Sequence, residues 1–304
     1  VGALSWCELT AVVILSRPGT SNASARGVGL TVQGFAPVDR RGWRTRAALC
    51  AVFGAVAVAA TTASVSAQSL DEVAERYRPY MINDIDQALA GARELRDRIV
   101  AHDIAGAQKA WIAARVGWER SEVFTSGFVP QLDDAIDAWP DATKGFHGIE
   151  AKLFGANSFD VQDQIGALIQ NLANLDQQIR TIQLTAQGLL NGVTRLAYEV
   201  GDGKVDGGES RFSGTSLDDM RNNVEGIELA YRIVFASTLE ASDPKLAGTV
   251  QGEIDRLKQL LTVEDLKQLD PDALRKASED LVVTLQIAGP KIGLSTPTLE
   301  EATK

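Results

Sequence analysis

Residues 103–124 read Asp-Ile-Ala-Gly-Ala-Gln-Lys-Ala-Trp-Ile-Ala-Ala-Arg-Val-Gly-Trp-Glu-Arg-Ser-Glu-Val-Phe. Ile104, Ala107, Trp111, Ala114 and Trp118 recur at steps of three and four, which draws one apolar stripe along a helix. Gly127 and Pro130 mark its end. Glu119 and Glu122 follow the Trp-bearing stripe three residues apart, so both project from one helical face.

The same period runs outward in both directions. Ser69-Leu70-Asp71-Glu72 is a capping box, and it opens a periodic segment reaching about Val100. A short helix is expected over residues 132–138, stopped by Trp139-Pro140, and another over 143–154, ended by Gly155. Ile165, Leu168, Ile169, Leu172, Leu175, Ile179 and Ile182 predict a single long helix over residues 160–200, kinked near Gly188 or Gly192. A loop over 201–214 with five glycines follows. Thr215-Ser216-Leu217-Asp218 caps a helix to about Glu240, and two more helices are expected near 244–261 and 272–287. Hairpin signals and alternating strands are missing. The expected fold is all-α, two packed helical bundles divided around loop 201–214, with a metal-site cleft between helices.

The N-terminus carries a different signal. Arg40, Arg41, Arg44 and Arg46 precede an apolar run over residues 47–60, and Val65-Ser66-Ala67 supplies small residues for a cleavage site. Residues 38–67 therefore read as a secretory signal peptide cut after Ala67. The apolar run is short for a membrane span, so the mature protein is not expected to be membrane-embedded. Asp39 and Gly42-Trp43 fit the twin-arginine pattern poorly, which favours the general export route. Residues 1–37 read as an extension upstream of the true start, with Val38 the expected first residue, and residues 68–304 as the mature helical domain.

Cys7 and Cys50 both precede the expected cleavage site, leaving a mature chain without thiols. Leu49 stands before Cys50 where lipid attachment needs a small residue, so Cys50 is a poor anchor. Setting aside residues 1–67, with six Arg and two acidic residues, leaves 24 Lys and Arg against 38 Asp and Glu, a formal charge of −14. Such a balance disfavours nucleic acid and anionic membranes as partners and suits a cation ligand. The expected location is the periplasm.

Three acidic motifs suggest one oxygen-rich cation site drawn from several helices: Trp118-Glu119-Arg120-Ser121-Glu122, Gly145-Phe146-His147-Gly148-Ile149-Glu150, and Gly207-Gly208-Glu209-Ser210-Arg211-Phe212-Ser213. Asp133 and Asp137 share a helical face nearby, while Asp134 and Asp141 point elsewhere. Glu209 lies in a glycine-rich loop that can approach a site closely. The chain holds two His, His102 and His147, and Ala151 stands where a zincin needs its second one, so a three-His zinc site is excluded. His147 also fits a hydrogen-bonded structural role, with Glu150 orienting its ring. Residues 201–209 lack the acidic ladder of a calcium loop. Carboxylates with at most one imidazole suit hard or borderline cations such as Fe, Mn, Mg or Ca. Met81 and Met220 are too far apart in sequence to argue for Cu(I).

Taken in order, Trp118-Glu119-x-x-Glu122, Leu132-Asp133-x-x-Ile136-Asp137, Gly145-Phe146-His147-x-x-Glu150 and Gly208-Glu209-Ser210-Arg211-Phe212-Ser213 resemble the imelysin-like (peptidase M75) family. Thr215-Ser216-Leu217-x-Asp219 and Asn222-Asn223-x-Glu225-Gly226 extend the match, which covers nearly all of residues 69–290. Within the family the chain is most similar to the M75 domain of the EfeO/EfeM iron-uptake proteins. The resemblance implies a two-lobed helical protein with a metal site in its cleft. It implies Glu119, Glu122 and Glu209 as ligands, with Asp137 or Asp133 as the fourth, and it matches His147 and Glu150 to the His-x-x-Glu signature. The implied function is iron binding in an EfeUOB-type system, with iron as transported ligand and with a membrane permease and a haem-peroxidase-like component as partners. A metallopeptidase of M75 type and a metal-assisted alginate-binding protein are the alternatives. The match begins close to the expected cleavage site, which implies the shorter EfeM-like form without the cupredoxin domain of EfeO.

Overall fold

The computed structural model describes residues 69–138 and 143–299, and no strand occurs among them. The expected signal peptide, the start at Val38, both cysteines, the stop at Trp139-Pro140 and Asp141 lie outside the described residues.

Helix α1 (Leu70–Ala74) begins as its capping box predicts, with Ser69 Oγ accepting the Glu72 N–H. The expected single helix to Val100 is broken after one turn, because Pro79 lacks an N–H and restarts the chain as α2 (Arg78–Val100). Helix α3 (Ile104–Phe128) is capped by Asp103 Oδ1, which accepts the Gly106 N–H at 2.9 Å. Pro130 opens α4 (Pro130–Asp137). Helix α5 (Gly145–Glu150) widens into a π turn over Ala151–Gly155.

The long helix expected over 160–200 is two helices, α6 (Gln162–Thr181) and α7 (Ala186–Asp202). Two side chains make the break. Arg78 donates to the carbonyls of Ile179 and Ile182, satisfying the end of α6 from another helix. Thr185 Oγ1 then accepts the Gly188 N–H at 3.1 Å and starts α7.

Loop residues 203–215 lead to α8 (Ser216–Ala230), a π turn (Tyr231–Phe235) and α9 (Ala236–Ser242). Helices α10 (Pro244–Leu260) and α11 (Pro271–Lys291) complete the fold, each opened by a capping Asp and a Pro.

Helices α2, α3 and α6, with α4 and α5 against them, form one packed group; α7, α8, α10 and α11 form the second. Helix α3 belongs to both, packing on α2 on one side and on α7 and α8 on the other. The division therefore falls at residues 182–185, not at loop 201–214. Two glycines bring the groups close. A Cβ on Gly192 would stand 1.9 Å from the Val123 carbonyl oxygen, and one on Gly226 would stand 2.4 Å from that of Arg120. Trp111, Trp118, Phe124 and Phe146 fill the interior around α3. Among the described residues no helix is long and apolar enough to cross a membrane.

Candidate metal centre

Helix α3 places Arg115, Glu119 and Glu122 at successive turns of one face, and that face lies where the two groups of helices meet. Against it come Asp137 from the end of α4, His147 and Glu150 from α5, Lys204 and Glu209 from the loop after α7, and Asp219 and Asn223 from α8. All are withdrawn from solvent, Glu119 completely.

The cluster has two overlapping halves. Single ligand atoms of Asp137, His147 and Glu209 lie within 4.8 Å of one another, and so do those of Glu119, Glu122 and Asp137. Asp137 is the shared corner. Trp118 Nε1 donates to its Oδ2 at 2.7 Å and Arg115 Nη1 donates to its Oδ1. His147 Nε2 lies 3.2 Å from Asp137 Oδ1 and 3.7 Å from Glu209 Oε1, yet makes no aligned hydrogen bond. Nε2 lies between two carboxylates, and it would ligate a metal only after giving up its proton.

Glu150 has a different task. Its Oε2 lies 3.3 Å from His147 Nδ1, and its Oε1 accepts the N–H groups of Phe212 and Ser213 and the Ser213 hydroxyl at 3.0, 2.8 and 2.7 Å. It orients the imidazole and pins the loop that carries Glu209. Asp133 stands apart. It belongs to neither three-residue group; it bonds to Thr125 and feels Glu199, Asp137 and Arg195. His102 is exposed and packs its ring on Phe159 at 5.0 Å, far from this chemistry.

Sequence reasoning missed two cations. Arg115 Nη2 forms an ion pair with Glu119 Oε1, and Nη2 also lies 3.2 Å from Glu209 Oε1 and 3.2 Å from Asp219 Oδ2. Lys204 Nζ reaches Glu119 Oε2 at 2.8 Å, Glu122 Oε2 at 2.9 Å and Glu209 Oε1 at 3.1 Å. Asn223 Nδ2 adds bonds to Glu119 Oε2 at 2.8 Å and Glu122 Oε2 at 2.6 Å. Arg115 carried a signal, since it precedes Glu119 by one helical turn. Lys204, in a glycine-rich loop, carried none.

The electrostatics follow from dry packing. Burial, reinforced by Glu119 and opposed by Lys204, raises Glu122 well above the carboxylate range. Burial also lifts Asp219, to about 7, against the pull of Arg115. Burial works against the charged form of Asp137 as well, but Arg115 and His147 outweigh it and hold this carboxyl below its usual range. Glu209 is likewise depressed to about 2, with Lys204 overcoming burial. Burial pulls the His147 imidazole down, and Asp137, Glu150 and Glu209 together push it up to about 11, so it is protonated at neutral pH.

Fold and site together define an all-helical protein with a buried, carboxylate-rich cluster at the junction of two bundles. The imelysin (peptidase M75) family model matches residues 51–144 and 141–287, and the chain belongs to this family. It is 30% identical over 204 residues to an Efem/EfeO family lipoprotein of Staphylococcus haemolyticus, covering 64% of this chain and 70% of that one. A Staphylococcus aureus (strain MRSA252) protein of the same description is 29% identical over 203 residues, covering 63% and 71%. Among solved structures, an iron-regulated protein A precursor from Parabacteroides distasonis superposes with a TM-score of 0.59 at 18% identity. That match covers 75% of this chain and 97% of the other and shows a shared fold.

Proposed function

We propose that this chain captures iron outside the cytoplasmic membrane and delivers it to a membrane permease, as the iron-binding component of an EfeUOB-type system with a haem-peroxidase-like partner. In this reading export removes residues 1–67, and Glu119, Glu122, Asp137, Glu209 and His147 are the ligands, with Glu150 behind His147. One observation carries it. Six carboxylates, Glu119, Glu122, Asp137, Glu150, Glu209 and Asp219, share a dry interior with three cationic groups, Arg115, Lys204 and His147. Surplus buried negative charge is costly unless protons or a cation balance it. Burial raises both Glu122 and Asp219, and a bound metal ion offsets the same surplus of negative charge.

The donor set of hard oxygens with one imidazole suits Fe or Mn better than Cu(I). The relatives described as Efem/EfeO family proteins and the fold shared with an iron-regulated protein favour iron among these. Hydrolysis is the weaker reading. A catalytic zinc site keeps about three protein ligands and an open water position, whereas Glu150 Oε1, the natural base, is already tied to Phe212 and Ser213.

Calorimetry of chelator-treated protein with Fe2+, Fe3+, Mn2+, Zn2+ and Ca2+ tests the proposal. Saturable one-to-one binding with a Kd of about 1 μM or below, on the order of 8 kcal/mol, with protons released, is expected for iron. Absence of saturable binding for every ion sinks it.

A further inference from the structure

Two cations sit among the carboxylates, and they are held very differently. Arg115 is in the middle of α3, its guanidinium 5.5 Å from the ring centres of both Trp111 and Phe146. Its guanidinium is packed against those two rings as well as paired with carboxylates. Lys204 lies just past the end of α7, on the turn-rich segment that joins α7 to α8. Lys204 is 5% exposed, yet among the described residues its backbone hydrogen bonds run only to Gly207 and to Glu199. A lysine head is a compact point charge on a flexible four-carbon stem.

Three oxygens from three acidic residues converge on Lys204 Nζ within 2.8–3.1 Å. All three residues, Glu119, Glu122 and Glu209, belong to the proposed ligand set. A metal ion would take the same lone pairs at about 2.0–2.2 Å, so ammonium and ion exclude one another. The buried and unpartnered His147 Nε2 marks the same neighbourhood as a place for a ligand.

We propose that Lys204 is a displaceable tethered counter-ion: its ammonium competes with the incoming cation for Glu119, Glu122 and Glu209, withdraws on capture and returns on release. This rests on the cation-binding reading above and adds a specificity device to it. An incoming ion must outbid a resident unit charge at three carboxylates, which discriminates against monovalent ions and weak divalent ones. The returning ammonium refills the oxygens as the ion departs, so tight capture need not mean slow release.

The test uses Mn2+ as a redox-stable probe. Wild type, Lys204→Met and Lys204→Gln are titrated after chelator treatment. Both variants should bind at least about 10-fold tighter than wild type, with slower dissociation. In parallel, wild-type protein is acylated with and without saturating Mn2+, and peptide mass spectrometry follows Lys204 against the exposed Lys276, whose side chain is 74% exposed. Lys204 should be protected without Mn2+ and become several-fold more reactive with it. The acylation arm needs no variant, so misfolding of a variant leaves the test intact. Binding by wild type with Lys204 still protected, or with no gain in folded variants, overturns the Lys204 role alone. No binding by any of the three proteins overturns both this role and the cation-binding reading. Binding by the variants but not by wild type overturns displacement, because the ammonium then never yields to the ion.

Discussion

Glu119 and Arg120 are neighbours on α3, and they face two regions built from the same kinds of side chain. Glu119 looks into the dry cluster; Arg120 looks into a cleft of about 370 Å³ lined by Tyr80, Asn83, Asp84, Glu225, Glu228, Leu229 and Arg232. In the cleft Arg120 pairs with Asp84 at 3.0 Å and Glu225 at 3.7 Å, but its side chain is 23% exposed and that of Glu225 is 57% exposed. Water screens the Glu225 partner there, while Asp84 is buried and leans on Arg120. In the cluster the side chains are buried, and each carboxylate needs a cation, a proton or a neutral donor. The charges of the cluster are therefore coupled by burial, while those of the cleft are partly screened by solvent.

The largest effect should come from Arg115→Met. It removes the one immobile cation and leaves Asp137, Glu119, Glu209 and Asp219 short of a partner. Breaking a buried pair from one side costs about 3–5 kcal/mol, read as a lower urea midpoint in chelator-treated protein, and saturating Mn2+ should restore part of it. Unchanged stability would mean that the cluster is balanced in some other way.

Next in size is the pair Glu119→Gln with Glu122→Gln. Cation affinity should fall at least ~100-fold, or ~2.7 kcal/mol. From the sequence, removing two like charges promises relief and a higher melting temperature. The structure reverses that expectation, because Lys204 loses two of its three carboxylates. The chelator-treated double variant should lose about 1–3 kcal/mol, and a rise in its melting temperature would show that Lys204 is not bound as described.

Asp133 lies between the extremes, half-buried and outside the cluster. Burial first, then Glu199, raises it to about 7. A carboxyl whose folded pKa exceeds its unfolded value costs nothing below the unfolded value. The cost grows as pH rises from about 4 towards 7 and is complete above that. Asp133→Asn should thus stabilise by roughly 1 kcal/mol at pH 8, discounted for partial exposure, and change nothing near pH 4. Melting curves at the two pH values check the sign; equal effects at both would assign the gain to packing.

The smallest effect belongs to the cleft. Glu225→Gln should shift stability by less than about 0.5 kcal/mol and leave Mn2+ affinity within twofold, measured by the same calorimetry. A larger loss of affinity would erase the contrast between the two sides of α3.

What could be read before folding was local. The apolar stripe of α3, the capping box at Ser69 and the break at Gly127 and Pro130 are legible because each acts within a turn or two of its own position. The ordered motifs, through family resemblance, also picked out Glu119, Glu122, Asp137, His147 and Glu209, which the structure brings together. The break at residues 182–185 was not legible, because part of its cause is Arg78, about a hundred residues away in sequence.

The sequence by itself determined that this protein is helical, acidic and supplied with carboxylates at helical spacing. Only tertiary structure decided how their charges are met. Arg115 meets Asp137, Glu209 and Asp219, and Lys204 meets Glu119 and Glu122, across 22 to 104 residues of chain. Gly192 and Gly226 let α7 and α8 approach the backbone of α3 closely, beside the face that carries those pairs. Burial turns scattered charges into one coupled site, and burial is a property of packing that no single segment carries.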